Sequence, residues 1–114
     1  MFASSANLDN LTVIVDRNHL QLSAPTEETN GLDDLGAKMR SFNLSVSEID
    51  GHSFCDIFAA LDKDSNGKPK LIIADTIKGK GVSFMENKVE WHGAMPNEEQ
   101  VELAYRELGG RRNG

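Results

Sequence analysis

The chain has 114 residues, a formal net charge of −6, a single cysteine and 39% hydrophobic residues. That length supports one domain with a modest core, and the acidic balance argues against nucleic acid, which needs clustered Lys and Arg. Cys55 has no partner for a disulfide and fits a reducing compartment. No apolar run approaches the roughly 20 residues that span a bilayer, and the first six residues lack a basic flank and a long apolar segment. The expected setting is the cytoplasm, with no membrane partner.

Phe2-Ala3-Ser4-Ser5-Ala6 reads as the end of a helix with no start signal before it, so residues 1–10 are taken as a truncated helix end. Leu11-Thr12-Val13-Ile14-Val15 is then a buried strand that runs into the polar Asp16-Arg17-Asn18-His19. In open α/β sheets, ligands sit outside the carboxyl ends of the strands. Asp16, Asn18 and the adjoining carbonyls are oxygen donors at that position, and oxygen donors suit a hard cation such as Mg²⁺. Ordinary turn chemistry is the competing reading of Asp-x-Asn.

Gln21 to Asn30 reads as loop, with Thr29 or Asn30 as N-cap of a helix over Gly31–Phe42. Leu32, Leu35, Met39 and Phe42 make its apolar stripe. Leu44–Ile49 partly alternates and is predicted to be a less buried strand than the first. After Asp50-Gly51-His52, Ser53 caps a helix whose buried stripe is Phe54, Ile57, Phe58 and Leu61. Cys55 is expected to join that stripe as a small core residue. A polar connection over Asp62–Lys70 leads to a third strand, Leu71-Ile72-Ile73-Ala74.

Strand and helix alternation over residues 11–76 means βαβαβ with right-handed parallel crossovers, hence an α/β fold. The prediction is a partial three-layer parallel sheet of about three strands with flanking helices. Three strands leave an apolar edge, and such edges are normally paired or covered. Incompleteness is therefore the first physical inference, and self-association through that edge is one way to relieve it.

Residues 77–96 lose periodicity. Lys78-Gly79-Lys80-Gly81 brings backbone N–H groups and two ammonium groups together, a pattern open to anions; solvated lysines are the alternative. His92, in Trp91-His92-Gly93, is a candidate proton carrier or phosphate donor, set against a loop histidine that caps a neighbour. His19 and His52 each follow a strand end. The histidines lack zinc-ligand spacing. Asn97 caps a last helix over residues 97–110, with Gln100 three residues on; Val101, Ala104, Tyr105 and Leu108 form its apolar side, and Arg111–Gly114 should fray.

With these stretches laid out, the chain resembles transketolase, and more narrowly the N-terminal module that forms a separate subunit in split bacterial and archaeal transketolases. Residues 8–18 with Leu20-Gln21-Leu22, Pro25-Thr26-Glu27-Glu28, Ile49-Asp50-Gly51-His52, Thr76 to Glu86 and Trp91-His92-Gly93 carry the resemblance. It implies the thiamine diphosphate-binding fold and transfer of a two-carbon ketol unit between sugar phosphates, using thiamine diphosphate and Mg²⁺. It implies that the Asn18 side chain and the Leu20 backbone carbonyl ligate Mg²⁺, and that His92 lies by the cofactor's diphosphate and the substrate. The family's Gly-Asp-Gly motif occurs nowhere in the chain, and the glutamate that activates the thiazolium belongs to a second module. The expectation is the carboxyl-terminal portion of one module, from an internal start or a split gene, inactive alone. Its partner would be a second copy or a complementary transketolase chain. A non-catalytic, self-associating remnant is the alternative; a deoxyxylulose-phosphate synthase or dehydrogenase subunit is a third, favoured less by Trp91-His92-Gly93.

Overall fold

The computed structural model describes residues 1–21, 24–25 and 31–110. In chain order these form α1 (Phe2–Ser5), β1 (Thr12–Arg17), β2 (Leu20–Gln21), β3 (Ala24–Pro25), α2 (Leu35–Ser41), β4 (Ser45–Asp50), α3 (Phe54–Asp62), β5 (Lys70–Asp75), a 3₁₀ turn (Val89–His92) and α4 (Glu98–Glu107). They divide into two compact units, residues 1–17 with 31–76 and residues 18–30 with 77–114. The predicted caps Thr29 and Asn30 and the predicted fraying of Arg111–Gly114 fall outside the described residues.

The first unit holds a parallel sheet in the order β1-β5-β4. Val13, Leu71 and Val46 stand in register, as do Asp16, Ala74 and Ile49. Helices flank this sheet, so the α/β prediction with about three parallel strands holds. Leu35 of α2 packs with Leu71 and Ile73 of β5, joined by Val15, Leu32, Met39, Leu44 and Val46. Three of the four residues in the predicted α2 stripe are therefore core. Phe42, at the end of that helix, stays exposed, and its carbonyl accepts a 2.7 Å hydrogen bond from Ser4 Oγ of α1.

Several expectations need correction. The deeply buried strand is β5, whose Leu71, Ile72 and Ile73 are 3–4% exposed. β1, read as the buried strand, lies at the edge, and Ile14 is 60% exposed. β4, read as less buried than β1, is the better covered of the two. An apolar run does not reveal whether its strand has one neighbour or two.

α2 begins at Leu35, four residues later than predicted. Asp33 adopts φ 47°, which a continuing helix does not allow, and the Asp34 carboxylate caps the helix by accepting from Ala37 N at 2.7 Å. In α3, Ser53 caps as predicted, accepting from Asp56 N at 3.3 Å. The inward face, however, is Ala60 with half-buried Ile57. Phe54 and Phe58 are 77% and 67% exposed, and Cys55 is exposed rather than core. Part of the predicted Gln21–Asn30 loop pairs as a short antiparallel ladder, Leu20 with Pro25 and Gln21 with Ala24.

Candidate site at the carboxyl end of the first strand

The carboxyl rim of the sheet is stitched by hydrogen bonds. Gly51 N donates to Asp75 O at 2.7 Å, and Thr76 N to Arg17 O at 3.1 Å. Thr76 Oγ1 also donates to the Asp16 carboxylate. Asp16 thus ties the ends of β1 and β5 together instead of standing open as a donor.

Directly after β1 the chain turns sharply. Asn18 Oδ1 accepts from Leu20 N at 3.1 Å, an Asx turn, and His19 between them has φ 59°. Asparagine is suited to this because its short amide closes the turn on its own backbone. The turn fixes the Asn18 amide oxygen within two residues of the Leu20 carbonyl. Both residues are half-buried, while His19 is exposed.

The turn belongs to the second unit, as do the glycine-rich segment and His92. The stretch read as irregular is held by its own hydrogen bonds. Asn87 N donates to Lys78 O at 2.9 Å, closing a run of turns in which Val82 N donates to Gly79 O at 3.0 Å and Glu86 N to Val82 O at 3.0 Å. Lys80 pairs with Glu86 at 3.7 Å. Trp91 Nε1 donates to Phe84 O at 2.7 Å, and the two rings meet edge to face with centroids 5.1 Å apart. His92 ends the 3₁₀ turn that carries Trp91, with its own side chain exposed. The segment is further tied to α4: Glu107 accepts from Ser83 N at 2.8 Å and Ser83 Oγ at 2.6 Å. These two hydrogen bonds hold the Glu107 carboxyl below its usual range. Nothing in the sequence pointed to the Glu107–Ser83 contact, because 24 residues separate its partners.

The donor set has a definite chemical character. An amide oxygen and a main-chain carbonyl are hard ligands of the kind Mg²⁺ accepts, and Mg²⁺ keeps the rest of its octahedron for water and phosphate. Asn18 and Leu20 therefore fit as two ligands of such an ion. Among the described residues, no group of three or more His, Cys, Asp or Glu could hold a metal. No described helix is long and apolar enough to cross a membrane.

The family model for the transketolase thiamine diphosphate binding domain matches residues 1–113. The chain is 42% identical over 114 residues to one of the subunits of the apulose-4-phosphate transketolase from Phocaeicola vulgatus, covering 97% of this chain and 40% of that one. It is 41% identical over 110 residues to the 6-deoxy-6-sulfo-D-fructose transketolase subunit SqwG of a Clostridium species, covering 95% and 40%. Human transketolase matches at 36% over 92 residues, with 81% and 15% covered. Among solved structures, transketolase from Campylobacter jejuni superimposes with a TM-score of 0.87 at 28% identity, covering 96% of this chain and 17% of that one. The chain thus spans about 40% of the length of the transketolase subunits it matches. With a family match over nearly its whole length and a sheet that superimposes on the solved enzyme, this chain belongs to the transketolase family, within its thiamine diphosphate-binding domain.

Proposed function

We propose that this chain is one part of a transketolase that moves a two-carbon ketol unit between sugar phosphates with thiamine diphosphate and Mg²⁺. The observation that carries the reading is the turn immediately after β1, in which Asn18 Oδ1 accepts from Leu20 N; the Asn18 amide and the Leu20 carbonyl are hard oxygen ligands by their chemistry. Its support is the family match over residues 1–113. In this reading Asn18 Oδ1 and the Leu20 carbonyl hold Mg²⁺, and His92 contacts the diphosphate and the sugar. Thiamine diphosphate, when bound, supplies the carbanion chemistry, and the chain supplies placement and charge.

The chain acts only in company. Relatives are named as subunits of transketolases, and we assign this chain a complementary transketolase chain as partner. The exposed Ile14, Phe54 and Phe58, on the unit that carries the parallel sheet, support this reading, because apolar area of this kind marks an interaction surface. A non-catalytic fragment that pairs with itself is the second reading, favoured by the open edge of β1.

Calorimetry with thiamine diphosphate and Mg²⁺, together with a ketol-transfer assay, tests the assignment. The chain alone is expected to bind weakly and to turn nothing over. Adding a chain that carries the rest of the enzyme should produce Mg²⁺-dependent binding and transfer from a ketose phosphate. Absence of binding in that mixture would overturn the transketolase role and leave the self-associating reading.

A further inference from the structure

The geometry points to Glu107 as a positioning residue for His92, acting through Ser83, Phe84 and Trp91. The inference rests on the reading of His92 as a cofactor or substrate contact.

Each link is a direct contact within the second unit. Glu107 ends α4 and grips Ser83 with both carboxylate oxygens, one on the amide at 2.8 Å and one on the hydroxyl at 2.6 Å. A fork of this kind fixes the Ser83 main chain in direction as well as distance. The residue after Ser83 is Phe84, whose carbonyl accepts the Trp91 indole N–H at 2.7 Å and whose ring meets the Trp91 ring edge to face. Trp91 is bonded to His92, and both belong to the same 3₁₀ turn. The same two segments meet again beside the fork: a Cβ on Gly81 would stand 3.3 Å from Leu108 Cδ2.

His92 itself is exposed, so packing around its ring does not set its position. Its placement is inherited from Trp91. Loss of the fork would free the main chain at Ser83, let the following Phe84–Met85 peptide, whose carbonyl accepts the indole N–H, shift away from Trp91, and leave the histidine without a fixed direction. The charge on Glu107 favours the fork: its carboxyl is held below the usual range by the Ser83 bonds, with Arg106 beside it on α4 adding to the effect. On the facing segment the charges of Lys80 and Glu86 are paired with each other.

Trp91 is the chain's single tryptophan, and His92 is one of three histidines. Both can be read without cofactor, by emission and by imidazole NMR. Glu107→Ala in the full chain is expected to shift Trp91 emission to the red and to move the His92 imidazole resonances, leaving those of His52 in place. Glu107→Gln keeps one carbonyl acceptor and should restore most of both signals. Ser83→Ala removes the hydroxyl bond only, without touching α4, and should give an intermediate shift. Wild-type emission and His92 resonances in Glu107→Ala or Ser83→Ala chains with unchanged far-UV circular dichroism would overturn the proposal. Calorimetry with thiamine diphosphate and Mg²⁺, in the presence of the complementary chain, separates the two ideas. Altered Trp91 and His92 signals without any wild-type cofactor binding would sink the transketolase role and leave the fork intact. Unaltered signals with normal wild-type binding would do the reverse.

Discussion

Gly79 has φ 72°, and a Cβ there would lie 2.7 Å from the Met85 carbonyl oxygen. Left-handed backbone costs an L-residue about 1–2 kcal/mol, and contact with main chain cannot be relieved by moving a flexible side chain. Gly67 has φ 74° but open space around it. Gly79→Ala is therefore expected to lower the thermal unfolding midpoint by clearly more than Gly67→Ala, which carries the conformational cost alone. Equal shifts would show that the turns around Gly79 are not closed as described. Asn18 offers a second test. Asn18→Ala removes the acceptor for Leu20 N–H, and Asn18→Asp keeps it. Loss of an oriented donor at a metal site costs about tenfold or more in affinity. Mg²⁺-dependent thiamine diphosphate binding, measured with the complementary chain, should fall by that factor in the alanine variant and survive in the aspartate variant.

The starts of α2, α3 and α4 each carry a side-chain cap, and α4 has the fullest one. Asn97 Oδ1 accepts from Gln100 N, and Gln100 Oε1 accepts from Asn97 N, both at 2.9 Å. Replacing an N-cap by alanine costs about 1 kcal/mol, so Asn97→Ala should lower stability by about that amount in chemical denaturation. The other end of α4 responds to pH. The Glu107 carboxyl is lowered in the folded state, so its contribution is present above the ordinary glutamate range. That contribution is lost as pH falls through the lowered value. Wild type should therefore lose stability on acidification by more than Glu107→Gln does. Parallel acid-unfolding curves for the two chains would show that Glu107 is not held by Ser83.

At the level of the whole molecule, the two edges of the parallel sheet differ. The β4 side carries Glu48, paired with Arg40 at 2.6 Å, and Ser47, which accepts from Lys63 at 3.4 Å. Charged groups of this kind blunt an edge. β1 at the opposite edge offers Val13 and Ile14, 37% and 60% exposed. Between the sheet and α3 lies a cavity of about 240 Å³ lined by Ile14, Ile49, Ile57, Leu61, Ile72 and Ala74, with Asp16, Gly51 and Thr76 at the carboxyl rim. Most of its lining is apolar, as on a sheet face that other polypeptide covers. The isolated chain is expected to self-associate with rising concentration in sedimentation velocity. Ile14→Lys with Phe58→Glu should keep it monomeric without loss of helix content. A wild-type chain that sediments as a monomer throughout would remove the second reading.

Much of this molecule is written locally. The caps Ser53 and Asn97, the turn after Asp16, and the strand–helix alternation over residues 11–76 depend on neighbours within a few positions. The motifs around Asn18 and Trp91-His92-Gly93 were enough to reach the family. What tertiary structure alone decided is which apolar surfaces find partners. Leu11–Val15 and Leu71–Ala74 look alike as strings, yet among the described residues only the second has a strand on each side. Phe54 and Phe58 face outward because Ala60 and Ile57 meet the sheet first. The Glu107–Ser83 fork arises between residues far apart in the chain. Burial and long-range pairing are properties of neighbours in space, and hydrophobicity or spacing along a chain does not encode who those neighbours are.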